Sequence, residues 1–299
     1  MSAPLLPPAL AAPMEVLQTA AGRVALYHAQ ATGQGSGLPP LLLVHSVNAA
    51  ASAAEVVPLF EHYRGSRTVV ALDLPGYGHS DRSDRAYTPR LMTDAVLAVV
   101  AWMRTELRAE QVDALGVSLG CEFVARAQSE APAHIRRIAL VSPTGFSRSK
   151  RRHGPPGTTL VKPWLLKLLA RPGWGDRIFR QLTRPGVVRY FLKRTFGTSD
   201  IDETLWRQAV ITAQQPGAHH APLHFLSGAL FSADINTLYE SLASPVWVSM
   251  ATRGDFTDYQ GRTSVQMREN WQFHVIEGGA LPYFEDLPTF TAVLDPFWR

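Results

Sequence analysis

The chain has 299 residues, 46% of them hydrophobic and 18% charged, and carries a formal net charge of +4. That is ordinary globular composition with enough apolar material for a large core. One cysteine, Cys121, excludes an intramolecular disulfide, and no run reaches the ~18–20 uncharged apolar residues of a membrane span.

The Pro/Ala-rich residues 1–14 lack a basic start and read as a disordered leader rather than a secretory signal. With the lone cysteine this fits a reducing compartment, and a cytoplasmic location is expected. "EVLQTA" and "RVALYHAQ" form an opening hairpin across Ala21-Gly22. "PLLLVHS" (40–46) is a β-leaning apolar run of the kind buried on both faces. A short helix over "AEVVPLFEHYRG", stopped by Gly65, leads to a strand at 67–73 and the loop "PGYGHSD". The stretch "TPRLMTDAVLAVVAWMRTEL" is a helix with Thr88 as N-cap and Pro89 in its first turn. Strand 112–118, helix 119–130 and strand 135–143 follow. After Pro143 the alternation stops for about a hundred residues and resumes with a strand and loop at 245–255, strand "WQFHVIEG" and a terminal helix. Strands alternating with helices predict an α/β fold, a mostly parallel sheet with helices on both faces. Residues 15–144 plus 241–299 form the core, and 145–240 are an insertion.

Gly116-Val117-Ser118-Leu119-Gly120 sits directly between a strand and a helix. In that context Gly-x-Ser-x-Gly predicts a nucleophile elbow, with the serine on a strained turn and the glycines leaving strand and helix room to pack. The alternative is a plain tight turn whose serine caps the helix.

With that elbow, "LLLVHSVN", and "ALDLPGYGHSDR", the chain resembles the α/β-hydrolase fold family, and the resemblance covers almost all of the core. It implies a helical cap at 145–240 and a Ser-acid-His triad in that chain order. Carried over by position, Ser118 is the nucleophile, and the N–H groups of Leu119 and Val47 are the oxyanion donors. Ser46 replaces the usual glycine beside the second donor. Asn48 either adds a side-chain amide there or shapes the loop. Asp255 is the triad acid, with Asp258 in reserve; Asp255 could also serve simple turn chemistry.

The family's histidine falls in a segment resembling Gly-His-x-Pro-x-x-Glu. This chain reads Gly279-Ala280-Leu281-Pro282-Tyr283-Phe284-Glu285, so Ala280 stands at the general base. A serine hydroxyl is a poor nucleophile without a neighbour to take its proton. His274, six residues earlier on one strand, is about 20 Å away. His45 and His79 lie at the carboxyl ends of strands and are the candidate substitutes, though in the family the His45 position supports loop structure. His219, His220 and His224 could reach from the cap. Tyr283, with an ordinary pKa of about 10, is a poor base and more naturally fills space.

Thirteen lysines and arginines lie between Gly145 and Gly197 against one carboxylate, Asp176, leaving the remainder of the chain net acidic. "LVKPWLLKLLARPGW" is either a cap helix burying an apolar face on the core or a basic amphipathic helix at a membrane surface or over a lipidic substrate. No nucleic-acid motif accompanies the charge. No metal-ligand spacing or cofactor fingerprint is present, so no cofactor is expected. Two readings of function stay open: a cofactor-free serine hydrolase of a carboxylic ester or related acyl bond with an incomplete or rearranged triad, and a non-catalytic ligand-binding protein on the same fold. An engineered His-to-Ala change in an esterase would leave the same pattern. The expected substrate is a small, apolar acyl compound.

Overall fold

The computed structural model describes residues 3–31, 37–148, 151–171, 173–255 and 257–299. Eight strands form one sheet in the order β1-β2-β4-β3-β5-β6-β7-β8. β1 (Met14–Thr19) and β2 (Gly22–Ala29) make the expected antiparallel hairpin, and β2 pairs antiparallel with β4 (Val69–Leu72). From β4 onward every pairing is parallel, through β3 (Leu41–Val44), β5 (Val112–Val117), β6 (Ile135–Val141), β7 (Val246–Ala251) and β8 (Trp271–Ile276). β3, β4, β5 and β7 are buried at every residue, which is why their sequences are continuous apolar runs rather than alternations.

Helices cover both faces. On one side α2 (Pro89–Glu106) and α3 (Gly120–Glu130) pack through Met92, Val96 and Phe123. Thr88 caps α2 by accepting from the Leu91 N–H at 3.2 Å. On the other side α1 (Val57–Tyr63) and the terminal helix pack through Phe60, Phe290 and Trp298 around Trp247. The first of these helices is preceded by a separate 3₁₀ turn, Ala53–Val56, because Pro58 opens the α-helix two residues beyond it.

Between β6 and β7 lie α4 (Pro163–Leu169), α5 (Trp174–Leu182), α6 (Pro185–Phe196), α7 (Glu203–Ala213), α8 (His220–Leu226) and α9 (Ile235–Ser241). The last of these packs into the core, where Tyr239 stacks on Phe146 at 5.0 Å. A short helix α10 (Pro282–Glu285) and α11 (Leu287–Trp298) complete the chain. A buried ion pair ties the insertion to the helix after the elbow: Arg152 donates to Glu122 at 2.7 Å, and Glu122 also accepts from the Ser232 N–H at 3.0 Å.

The leader differs from its expectation. From Ala3 to Pro13 it adopts no helix or strand, yet it is not loose. Leu6 and Leu10 are buried, and its carbonyls are used: Gln215 donates to Pro4 O, Gln208 to Pro7 O, and Arg64 to Ala11 O. Proline removes N–H donors but leaves every carbonyl free, so such a segment can be pinned by outside donors without joining the sheet.

Candidate active site

The elbow is built as its glycines require. Ser118 has φ of 51°, in the left-handed region that L-residues with a side chain seldom occupy. A Cβ on Gly120 would lie 2.4 Å from the His45 carbonyl oxygen, and one on Gly116 would lie 2.9 Å from the backbone of Cys121. Only glycine at both positions lets β5, β3 and α3 meet at this distance. The Ser118 N–H donates to Val141 O at 2.8 Å, so the residue is held by β6 while its side chain stays half-buried. Its hydroxyl makes no hydrogen bond among the described residues.

Val47 and Leu119 are both buried, and neither backbone N–H donates a hydrogen bond among the described residues. Backbone N–H groups inside a fold are nearly always paired, so two unused ones in buried residues, one after β3 and one after β5, are informative. The loop that carries Val47 is organised by Glu55, which the sequence reading overlooked. Its buried carboxylate accepts from the Ser46 N–H at 2.9 Å and from Asn48 Nδ2 at 2.6 Å, and Asn48 Oδ1 accepts from the Ala50 N–H at 2.8 Å. Both ends of the Asn48 amide are thus spent on the loop. Ser46, in place of glycine, has no positive φ, so its side chain brings no backbone strain there.

The "DLPGYGHS" loop is similarly determined. Asp73 is fully buried and accepts from the N–H groups of Ala53 and His79, each at 2.8 Å. A Cβ on Gly78 would fall inside that carboxyl group. Burial opposes ionisation of Asp73, but hydrogen bonds from His79 and Ala53 and the nearby His45 hold its pKa below the ordinary carboxylate value.

The candidate bases do not converge on Ser118. His45 is buried with both ring nitrogens engaged: Nε2 accepts from the Leu74 N–H at 3.0 Å, and Nδ1 lies 2.5 Å from Ser46 O. His79 lies between the Tyr27 hydroxyl and the leader carbonyl of Leu6. In the insertion, His220 faces Asp84 at 3.5 Å, His224 bonds His220 O, and the His219 ring lies tilted against His220. His274 stacks on Trp247, and burial lowers its pKa. None of the ten histidines is hydrogen-bonded to Ser118. Tyr283 is fully buried and donates to Glu55 O at 2.8 Å. Burial, with Glu55 nearby, pushes its hydroxyl pKa well above ordinary tyrosine.

At Asp255 and Ala280 the insertion packs against the core. Asp255 is paired with Arg194 of α6 at 2.7 Å, and the same guanidinium reaches the Tyr190 hydroxyl at 3.0 Å. The Ala280 N–H donates to Thr195 O at 2.8 Å, and a Cβ on Gly279 would lie 2.4 Å from Phe196 O. The C-terminal end of α6 is therefore seated on both the Asp255 loop and the Ala280 turn. The turn itself is intact, with the Gly279 N–H donating to Glu285 Oε1 at 2.7 Å. Asp258 is occupied elsewhere, accepting from the Ser147 hydroxyl at 2.7 Å, which lowers its pKa.

A cavity of about 300 Å³ opens beside these elements. Val47, Asn48, Glu55 and Asp255 line it on the core side, and Phe179, Val188, Phe191, Leu205 and Phe225 from the cap make most of its wall apolar. Such a lining suits an apolar ligand with a few polar groups fixing its orientation.

A family model for the alpha/beta hydrolase fold matches residues 39–187. The chain is 26% identical over 174 residues to an uncharacterized hydrolase, YugF, of Bacillus subtilis (strain 168), covering 58% of this chain and 57% of that protein. It spans about half or less of the length of the curated relatives it matches. Among solved structures it is similar to Cfl2 from Burkholderia cenocepacia, with a TM-score of 0.72, 17% identity, and 96% of this chain and 95% of that chain covered. It is also similar to the carboxylesterase CesB from Bacillus subtilis, with a TM-score of 0.67, 18% identity, and coverage of 94% and 90%.

Proposed function

The chain belongs to the α/β-hydrolase fold family, and from that premise we propose that it is a serine hydrolase of carboxylic esters or related acyl bonds whose turnover is limited by a missing base. An apolar acyl group occupies the cavity under the cap, and its carbonyl must extend past Val47 to reach Ser118, which does not line that cavity. Ser118 Oγ attacks the carbonyl carbon, its proton passing to solvent, and the carbonyl oxygen becomes an oxyanion held by the Val47 and Leu119 N–H groups. Collapse of this intermediate expels the alcohol, which takes a proton from solvent, and leaves an acyl-Ser118 ester. Water must then attack that ester, again without an imidazole to deprotonate it.

The single observation carrying this reading is Ser118 at a positive φ, with the N–H groups of buried Val47 and Leu119 donating no hydrogen bond among the described residues. Each oxyanion donor is worth on the order of 10²–10³ in rate. Losing the triad histidine costs on the order of 10⁶ in kcat, with residual catalysis from the donors and binding. Acylation and deacylation are therefore both slow, and an acyl-enzyme made from an activated ester persists.

The Arg194–Asp255 pair favours the second reading, a non-catalytic acyl-binding protein, because the acid is already neutralised by the cap. A fluorophosphonate probe separates the two. Slow labelling of Ser118 that disappears in Ser118→Ala supports the hydrolase, and labelling no greater than in Ser118→Ala leaves only the binder.

A further inference from the structure

The outer surface of the cap has an unusual composition. Among the described residues eleven large apolar side chains are exposed, and six of them fall between Leu160 and Leu226, about a quarter of the chain. Trp164 is 66% and Trp174 57% exposed, followed by Tyr190 and Phe191. The apolar side of α4 is not buried against the core: Leu169 is its only buried residue, and Leu165, Leu166 and Leu168 remain partly open.

These side chains are close to one another and to the cavity. Phe191 and Leu226 line the acyl cavity, Leu226 and Leu160 line the adjoining one, and Tyr190 packs edge-on against Phe191 at 5.4 Å. α4 packs on α5 and α8, so Trp164 and Trp174 are carried by neighbouring helices. Cations are interleaved with them. Lys167, Arg171, Arg177, Arg184 and Lys193 form no ion pair among the described residues, and of the four carboxylates between Leu160 and Leu226 Asp176 is matched by Arg180, Glu203 by Arg189, and Asp202 caps α7.

We propose that this face of the cap docks on a bilayer containing anionic phospholipid, with Trp164 and Trp174 at headgroup depth. The charge complementarity is direct, since unpaired cations among exposed aromatics meet a negatively charged surface. Tryptophan is favoured at the membrane interface because its ring is apolar and its indole N–H can stay hydrated. A soluble protein partner would need a matched acidic counter-surface, whereas a bilayer accommodates six apolar groups spread over several short helices. Among the described residues no helix is long and apolar enough to cross a membrane, and the proposed contact is a peripheral one. Docking in this way turns the mouth of the acyl cavity towards lipid, but it does not depend on Ser118 chemistry.

The test uses the full chain with vesicles of phosphatidylcholine, with and without phosphatidylserine. Co-sedimentation is expected only with phosphatidylserine and should weaken with salt. Trp164→Ala/Trp174→Ala and, separately, Arg177→Ala/Arg184→Ala should each lower partitioning on the order of tenfold, with an unchanged circular dichroism spectrum and Tm. Quenching of tryptophan fluorescence by brominated lipid should be lost in the double tryptophan variant. Ser118→Ala should bind like the wild type, whatever the fate of the hydrolase reading. Failure to bind phosphatidylserine vesicles at low salt overturns the proposal. So does binding that survives loss of both tryptophans and is matched by heparin, which would mark a general polyanion surface. Burial of Trp164 and Trp174 in a dimer in solution overturns it as well.

Discussion

Ser118 and Ala280 pose opposite problems at the scale of single residues. The first keeps a costly conformation that only the surrounding packing sustains, and the second lacks the group that would make that conformation useful. Gly120 is part of the cost. Gly120→Ala would push a methyl into the His45 carbonyl, and should destabilise the fold by roughly 1–3 kcal/mol by denaturant melt while abolishing Ser118 labelling. On the proposed reading Arg194 competes with an imidazole for Asp255, because its guanidinium pairs with that carboxylate at 2.7 Å. Ala280→His alone should therefore restore little esterase activity. Ala280→His/Arg194→Ala, which frees Asp255, should exceed it on the order of 10²-fold in kcat/KM, the lower end of what general-base catalysis supplies. Equal activity in the two variants would mean that Asp255 is not the orienting acid.

The loop after β3 is the clearest case at the scale of elements. Glu55 stands three residues after Ser52, in the spacing of a capping box, but its carboxylate turns to Ser46 and Asn48 instead. Tyr283 of α10 then fastens to the backbone of the same 3₁₀ turn, linking the Ala280 segment to the Val47 loop. Glu55→Ala should leave the buried Ser46 N–H unpaired and the half-buried Asn48 amide with Ser46 Oγ as its remaining acceptor. It should cost about 1–3 kcal/mol in Tm-derived stability, and slow Ser118 labelling more than Glu55→Gln does. The strands, the elbow and the glycine loop were legible in the sequence because each depends on neighbours within a few residues: apolar runs, Gly-x-Ser-x-Gly, Asp73 with Gly76 and Gly78. The Arg194–Asp255 pair and the Glu122–Arg152 pair were not. They join residues 61 and 30 apart across the cap boundary, and local periodicity carries no sign of them. The order of the leader was not legible for the same reason, since its partners are Gln208 of α7, Gln215 just beyond it and a histidine of the glycine loop.

Taken whole, the molecule is a neutral-to-acidic core under a basic cap, joined by buried ionic contacts. Asp73 gives its stability a pH signature. Its folded pKa lies below the unfolded value of about 3.9, so its contribution is fully present above that value and is lost as pH falls through the folded one. The Tm should fall on acidification below about pH 4, and the fall should be shallower in Asp73→Asn, which starts from a lower Tm at pH 7. The central claim, that Ser118 is an acylation site with oxyanion donors but no imidazole base, is tested most directly by mass spectrometry of the protein reacted with an activated p-nitrophenyl ester across pH. The account predicts one acyl adduct on Ser118, absent in Ser118→Ala, formed at a rate that rises steadily with hydroxide and shows no inflection between pH 6 and 7. An inflection there would reveal a histidine acting as base, and the absence of any Ser118 adduct would remove the serine from the chemistry altogether.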